Sequence, residues 1–98
     1  MFYAPCTFQR YNWFGNTNDQ TNIGVEVTLR RVVGGIVTVI QQEILDVPSY
    51  AADLPYFGTL SAPFVVQKDD LLTIRIWPSP TGGTAASVNN CGITFERQ

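Results

Sequence analysis

The chain has 98 residues, of which 45% are apolar and only 14% charged, with a net charge of −2, a pI near 4.7 and no histidine. This length suits one domain, residues 1–98, with a single core and little to spare. The composition excludes a basic footprint for nucleic acid, a run of some eighteen apolar residues to span a bilayer, and the histidine on which most triads, general bases and zinc sites depend.

The amino terminus, "MFYAPCTFQR", has neither the charged segment nor the apolar stretch of a secretory leader, so the expectation is a protein that stays in the cytoplasm where it is made. "CTFQRYNWF" reads as a first strand, followed by the polar loop "GNTNDQTN". Asn16, Asn18 and Asp19 in that loop resemble a calcium site only weakly, since one carboxylate supplies too little charge and the bidentate glutamate is missing. A solvated turn accounts for them equally well. No metal and no cofactor is expected.

Period-two patterning dominates the chain, and no window holds apolar residues at helical spacing. In "VEVTLRRVVGGIVTVIQQEIL" the pair Gly34–Gly35 separates two β-branched runs, which predicts a two-residue hairpin turn with positive φ. Pairing Val33 with Ile36 sets Leu29 opposite Ile40 and Val25 opposite Ile44, with Val27 on the same face. Glu26, Thr28, Arg30, Gln41 and Glu43 then face the other way. Arg31 and Gln42 fall on the apolar face as exceptions. This register also opposes Glu26 to Glu43, a like-charge pair that either a nearby Arg30 or Arg75, or a bulge that shifts the register, has to relieve.

"DVPSYAADLPYFGTLSAP" carries Pro48, Pro55 and Pro63 and predicts a long connection, with a short strand at Phe57–Ser61 and a turn of helix at Ser49–Asp53 capped by Ser49. Phe64–Val66 is then extended and Lys68, Asp69 and Asp70 form a turn. Leu71–Trp77 is a strand with Leu72, Ile74 and Ile76 on one face. "PSPTGGTAASVNN" is a loop in which Gly82 and Gly83 mark a turn, and "CGITFERQ" is a closing strand with Ile93 and Phe95 inward. Cys6 and Cys91 lie too far apart in sequence for a redox or zinc motif and read as reduced buried thiols. If the first and last strands are neighbours, a disulfide is the alternative. The whole pattern is all-β: an antiparallel β-sandwich.

Catalytic parts are scarce. The obvious carboxylate couples are Asp69 with Asp70 and Glu26 with Glu43, and adjacent residues on a strand face opposite ways, so no enzyme is expected. Aromatic side chains are the binding candidates, because rings supply contact area with a polar handle. The partner-facing set is Tyr11, Trp13, Trp77 and Arg75.

The order "APFVVQKDDLLTIRIW", then a loop, then "GITFERQ" resembles the carboxyl-terminal half of complement-head and tumour-necrosis-factor-like jelly rolls. The hairpin upstream is similar to the paired strands that come earlier in such heads, so the resemblance covers about residues 23–97. It implies a compact jelly roll, a homotrimer, and a solvated turn at Lys68–Asp70 in place of an active site. Tailed-phage virions use such domains as capsid decoration and as fibre tips. The resemblance thus implies a virion protein that decorates or cements the shell, with further copies of itself and the major capsid protein or another virion protein as partners. The alternative it implies is a receptor-binding fibre head that takes host-surface glycan through Trp13, Trp77 or the loop Pro78–Asn90.

Overall fold

A computed structural model describes residues 2–17, 23–47, 55–77 and 88–98, without the side chains of 15–17, 77 and 88–90. These residues form six strands: β1 (Cys6–Thr17), β2 (Ile23–Val33), β3 (Ile36–Val47), β4 (Tyr56–Val66), β5 (Leu71–Trp77) and β6 (Val88–Arg97). One antiparallel sheet has the order β4-β1-β6 and the other β3-β2-β5. The molecule is an all-β antiparallel sandwich, as the alternation predicts. Successive strands change sheet at every connection except the β2–β3 hairpin. Connections that pass from one sheet to the other are general to antiparallel sandwiches.

The core lies between the sheets. Phe8, Tyr11 and Trp13 of β1 meet Leu60, Phe64 and Val66 of β4 and the buried row Ile23, Val25, Val27 and Leu29 of β2. The rings of Phe8 and Phe95 lie 4.5 Å apart and those of Phe8 and Phe64 5.5 Å apart. Tyr11 is paired with Gly58, and its ring lies over that glycine, so a Cβ at Gly58 would overlap the ring. Gly58→Val is therefore expected to cost about 1–3 kcal/mol by overpacking. The check is a urea midpoint that falls at constant slope; an unchanged midpoint would mean that the Tyr11 ring swings aside freely.

The hairpin turn is as expected, with Gly34 at φ 59° and Gly35 at φ 81°, both positive, in the mirror-image turn that matches strand twist. The expected register holds from Val33↔Ile36 to Arg30↔Val39 and then changes: Leu29 pairs with Gln41, which leaves Ile40 as a bulge. Glu26 thereby leaves Glu43 and sits across from Ile44 on one side and Arg75 on the other. One extra residue also exchanges the faces of β3. Gln41, Glu43, Leu45 and Val47 now share a face with Leu29, Val27, Val25 and Ile23. Ile40 and Ile44, expected in the core, are 39% and 53% exposed instead.

β4 corrects a second expectation, since the two short segments predicted there are one strand. Thr59 pairs with Arg10 and Phe64 with Phe8, so Leu60–Pro63 bow out opposite Gln9. Pro63 is tolerated because a bulge on an edge strand needs no ladder donor. In the β4–β5 turn Lys68 and Asp69 are exposed, with Asp69 at φ 71°, a left-handed conformation that Asp tolerates better than most residues. Asp70 is not part of a solvated turn: it is fully buried.

β1 and β6 are neighbours, but they run antiparallel, so Phe8 pairs with Arg97 and Thr17 with Val88. Cys6 and Cys91 therefore sit at opposite ends of the ladder, roughly 30 Å apart at the strand rise, and both are free thiols. Cys6 is half-buried, whereas Cys91 is exposed, contrary to the expectation of two buried thiols. The helical turn at Ser49–Asp53, Asn18 and Asp19 of the polar loop, and the Gly82–Gly83 turn lie outside the described residues.

Candidate functional site and interaction surfaces

The most organised polar group in the molecule is Asp70. Its Oδ2 accepts the Gln67 backbone N–H at 2.8 Å, while Nε and Nη2 of Arg31 donate to Oδ1 and Oδ2 at 2.8 and 2.9 Å. The hydrogen bonds from Arg31 hold the Asp70 carboxyl below its ordinary range, against the opposing effect of burial. The same hydrogen bonds raise the Arg31 guanidinium. Both carboxylate oxygens are thus occupied by donors, and the pair is a clamp, not an acid–base couple. It ties β2, at the point where the arm begins, to the β4–β5 turn, which is also held by the backbone of Phe2: Asp69 N–H donates to Phe2 O at 2.8 Å and Phe2 N–H to Asp70 O at 3.2 Å.

Beyond that clamp the hairpin runs on alone. The β2–β5 ladder ends at the pair Arg30↔Leu71, so the residues after it extend as a two-stranded ribbon. Val33 and Ile36 lie on one face of this arm and Val32, Val37 and Val39 on the other, and each has half or more of its surface exposed. Ribbon and sandwich together measure 44 × 26 × 21 Å. Single exposed apolar residues are ordinary, but a contiguous apolar patch on both faces of one element marks an interaction site.

The two lateral seams of the sandwich differ. Along β3 and β4 the seam is stitched by side chains. Gln41 Nε2 donates to Pro63 O at 2.9 Å and Ser61 donates its N–H and hydroxyl to the Glu43 carboxylate at 2.7–3.1 Å, while within the sheet Gln9 of β1 donates its Nε2 to Leu60 O at 3.0 Å. These bonds satisfy the backbone groups that the bulge in β4 releases from the ladder. The positions expected to be wet, Gln41 and Glu43, perform this stitching because the Ile40 bulge turns them towards β4.

Along β5 and β6 the inward positions are aliphatic or aromatic and cannot stitch. Leu72, Ile74 and Ile76 share a face with the buried Leu29, Val27 and Val25, yet Ile74 and Ile76 are more than a third exposed. Ile93 and Phe95 of β6 are likewise incompletely covered. At one end of this open seam a cavity of about 460 Å³ is lined by Phe2, Tyr3, Cys6, Phe8, Leu72 and Phe95, among others. Among the described residues no strand pairs with the second edge of β5 or of β6.

A second hollow, of about 380 Å³, lies on the sheet of β1 and is lined by Arg10, Tyr11, Asn12, Phe57, Thr59 and Glu96, with Gly58 at its floor. Phe57 is 70% exposed there, and Arg10 and Glu96 pair loosely at 3.9 Å with both side chains largely in solvent. Asn12 Nδ2 reaches Thr94 Oγ1 at 3.4 Å.

The residues proposed from sequence as partner-facing do not form one site. Trp13 is 1% exposed and Tyr11 6%, because the bulge at Gln9 turns both rings into the core; neither offers an open ring face to a partner, which corrects that expectation. Burial pushes the Tyr11 hydroxyl up to about 12, helped by the nearby Tyr56, Glu43 and Asp46. Arg75 is exposed on β5 beside Glu26, and Trp77 ends β5 with its side chain outside the described residues. The features that stand out in their place are the arm and Phe57. The arm was legible as a run of apolar residues on both sides of Gly34–Gly35, longer than a covered hairpin requires. Phe57 was one aromatic candidate among several, and nothing local to it set it apart from the rings that turn inward.

Comparison with protein-family models, characterised proteins and solved structures finds no match to this chain.

Proposed function

We propose that the protein is a non-enzymatic structural component of a phage virion, a decoration or cement protein that binds the capsid shell as a homotrimer. The observation that carries this reading is the arm. A two-stranded ribbon apolar on both faces is poorly stable in water by itself and calls for an assembly that covers it. The low charge of the chain and the open seam agree with the same reading. The reading is non-enzymatic, and the occupation of both Asp70 oxygens by donors agrees with it.

Virions purified from a lysate of cells that express the chain at its native level test this directly. Density-gradient fractions read by mass spectrometry are expected to show the chain with intact capsids at a fixed ratio to the shell protein. Recovery only from the slowly sedimenting protein fraction overturns the proposal. A second reading, a fibre head that binds host-surface glycan, is favoured by one observation: the exposed Phe57 ring standing beside Arg10, Asn12, Thr59 and Glu96 in a hollow large enough for a sugar unit. Binding on a glycan array, lost on Phe57→Ala with an unchanged far-ultraviolet spectrum, would put that reading first.

A further inference from the structure

We propose that the apolar arm of one copy docks along the open β5–β6 seam of a second copy. The inference rests on the virion reading for its biological setting and names the partner of the arm, which that reading leaves open.

The arm asks for an uncharged partner. The two cations at its base are engaged within the same copy, Arg30 by the Thr73 hydroxyl and Arg31 by Asp70, so the ribbon beyond them presents only Val, Ile, Thr and Gly. It is not folded back on its own sandwich, since Val32, Val33, Ile36 and Val37 remain more than half exposed in the single chain. The seam is the matching surface. Its walls are Leu72, Ile74 and Ile76 on one side and Ile93 and Phe95 on the other, and the cavity at its end is lined chiefly by apolar side chains.

The dimensions agree as well. From Arg30 to Val33 the arm reaches about 10 Å, and Leu72 to Ile76 extends about 14 Å at the same rise per residue. The outer edges of β5 and β6 also carry ladder groups with no strand partner among the described residues, as does the outer edge of β3. An arriving ribbon can therefore add main-chain hydrogen bonds to the apolar contact.

The area favours a second copy over a small ligand. The arm exposes on the order of 500 Å² of apolar surface and the seam roughly 400 Å². If two copies exchange arms, their two contacts bury at most about 1,800 Å², inside the range of about 1,200–2,000 Å² for stable complexes, whereas each interface of a ring would bury about half of that. Two copies that exchange arms form an isologous two-fold dimer, whereas one-way docking of arm on seam is heterologous and gives a ring or an open filament.

The test uses light scattering on the full chain with two kinds of variant. Ile36→Asp with Val37→Asp damages the arm, and Ile74→Arg damages the seam. Tyr3→Glu at the 90%-exposed mouth of the cavity is the seam variant that leaves the core untouched should Ile74→Arg fail to fold. The wild type is expected to be an oligomer and each variant a folded monomer. A mixture of the arm variant and a seam variant is expected to form a heterodimer, because one intact arm then meets one intact seam. An arm variant that keeps the wild-type mass overturns the proposal; so does a seam variant that keeps it, which would mean that arms pack on arms, and so does a mixture that stays monomeric. A wild-type monomer that floats with phosphatidylcholine vesicles, and ceases to on Ile36→Asp, overturns it in favour of a lipid surface. Virion association is read separately in the gradient experiment, so either proposal can fall while the other stands.

Discussion

Asp70→Ala is expected to lower the unfolding free energy by about 3–5 kcal/mol, a large part of the roughly 5–15 kcal/mol that a domain of this kind has in total. The carboxylate is fully buried and holds three donors: two from Arg31 and one from Gln67. Removing it leaves the partly exposed guanidinium without its acceptor and the Gln67 N–H unpaired, and the cost is mostly that of stranded groups. Replacing both partners together, as Arg31→Met with Asp70→Leu, is expected to recover much of the loss, because a well-packed apolar pair does not carry the desolvation cost of the ions.

The same clamp sets an acid limit. The folded-state pKa of Asp70 is depressed from its ordinary value of 3.8, so its stabilisation is complete above that value and is lost as the pH falls through the lower folded-state pKa. Chemical denaturation of the wild type and of Asp70→Ala between neutral and strongly acidic pH reads this directly: the two curves should converge as acid protonates the carboxyl. A difference below about 0.5 kcal/mol at neutral pH would place the pair with exposed ion pairs and remove its role as the anchor of the arm.

Trp13→Ala is expected to cost about 3–5 kcal/mol, since the ring is 1% exposed and central to the core, and its loss leaves a cavity that the flanking strands cannot collapse into. Trp13→Phe should cost far less than its lost volume suggests. The indole N–H is buried with no acceptor among the described residues, and an unsatisfied buried donor is itself destabilising by about 1–3 kcal/mol. Deleting the N–H returns part of what the smaller ring loses in contact. Thermal or urea unfolding of the two variants separates the effects, and equal losses would mean that the indole N–H has a partner.

Burial of Trp13 also explains why aromatic side chains were a poor guide to the binding surface. Ring type and nearness to a loop are the same for a core tryptophan as for an exposed one. The deciding fact is the bulge at Gln9, where four residues of β4 stand opposite one residue of β1, and a bulge is created by two strands together. The Ile40 bulge acts in the same way on β3. It relieves the Glu26–Glu43 opposition that the sequence had exposed as a problem, and in doing so sends Ile44 outward and Glu43 inward.

The amino-acid sequence by itself determined the all-β class, the hairpin at Gly34–Gly35, the inward row Leu72, Ile74 and Ile76, and the position of the β4–β5 turn. Each comes from local physics: strict alternation of side chains along an extended chain, and backbone conformations that glycine and aspartate adopt at low cost. Only the tertiary structure decided the register beyond Arg30, the burial of Asp70 against Arg31, the closed and open seams, and the exposure of the arm. Those depend on which distant segments meet, and a shift of one residue in a ladder, invisible in either strand alone, exchanges the inside of the sandwich for the outside.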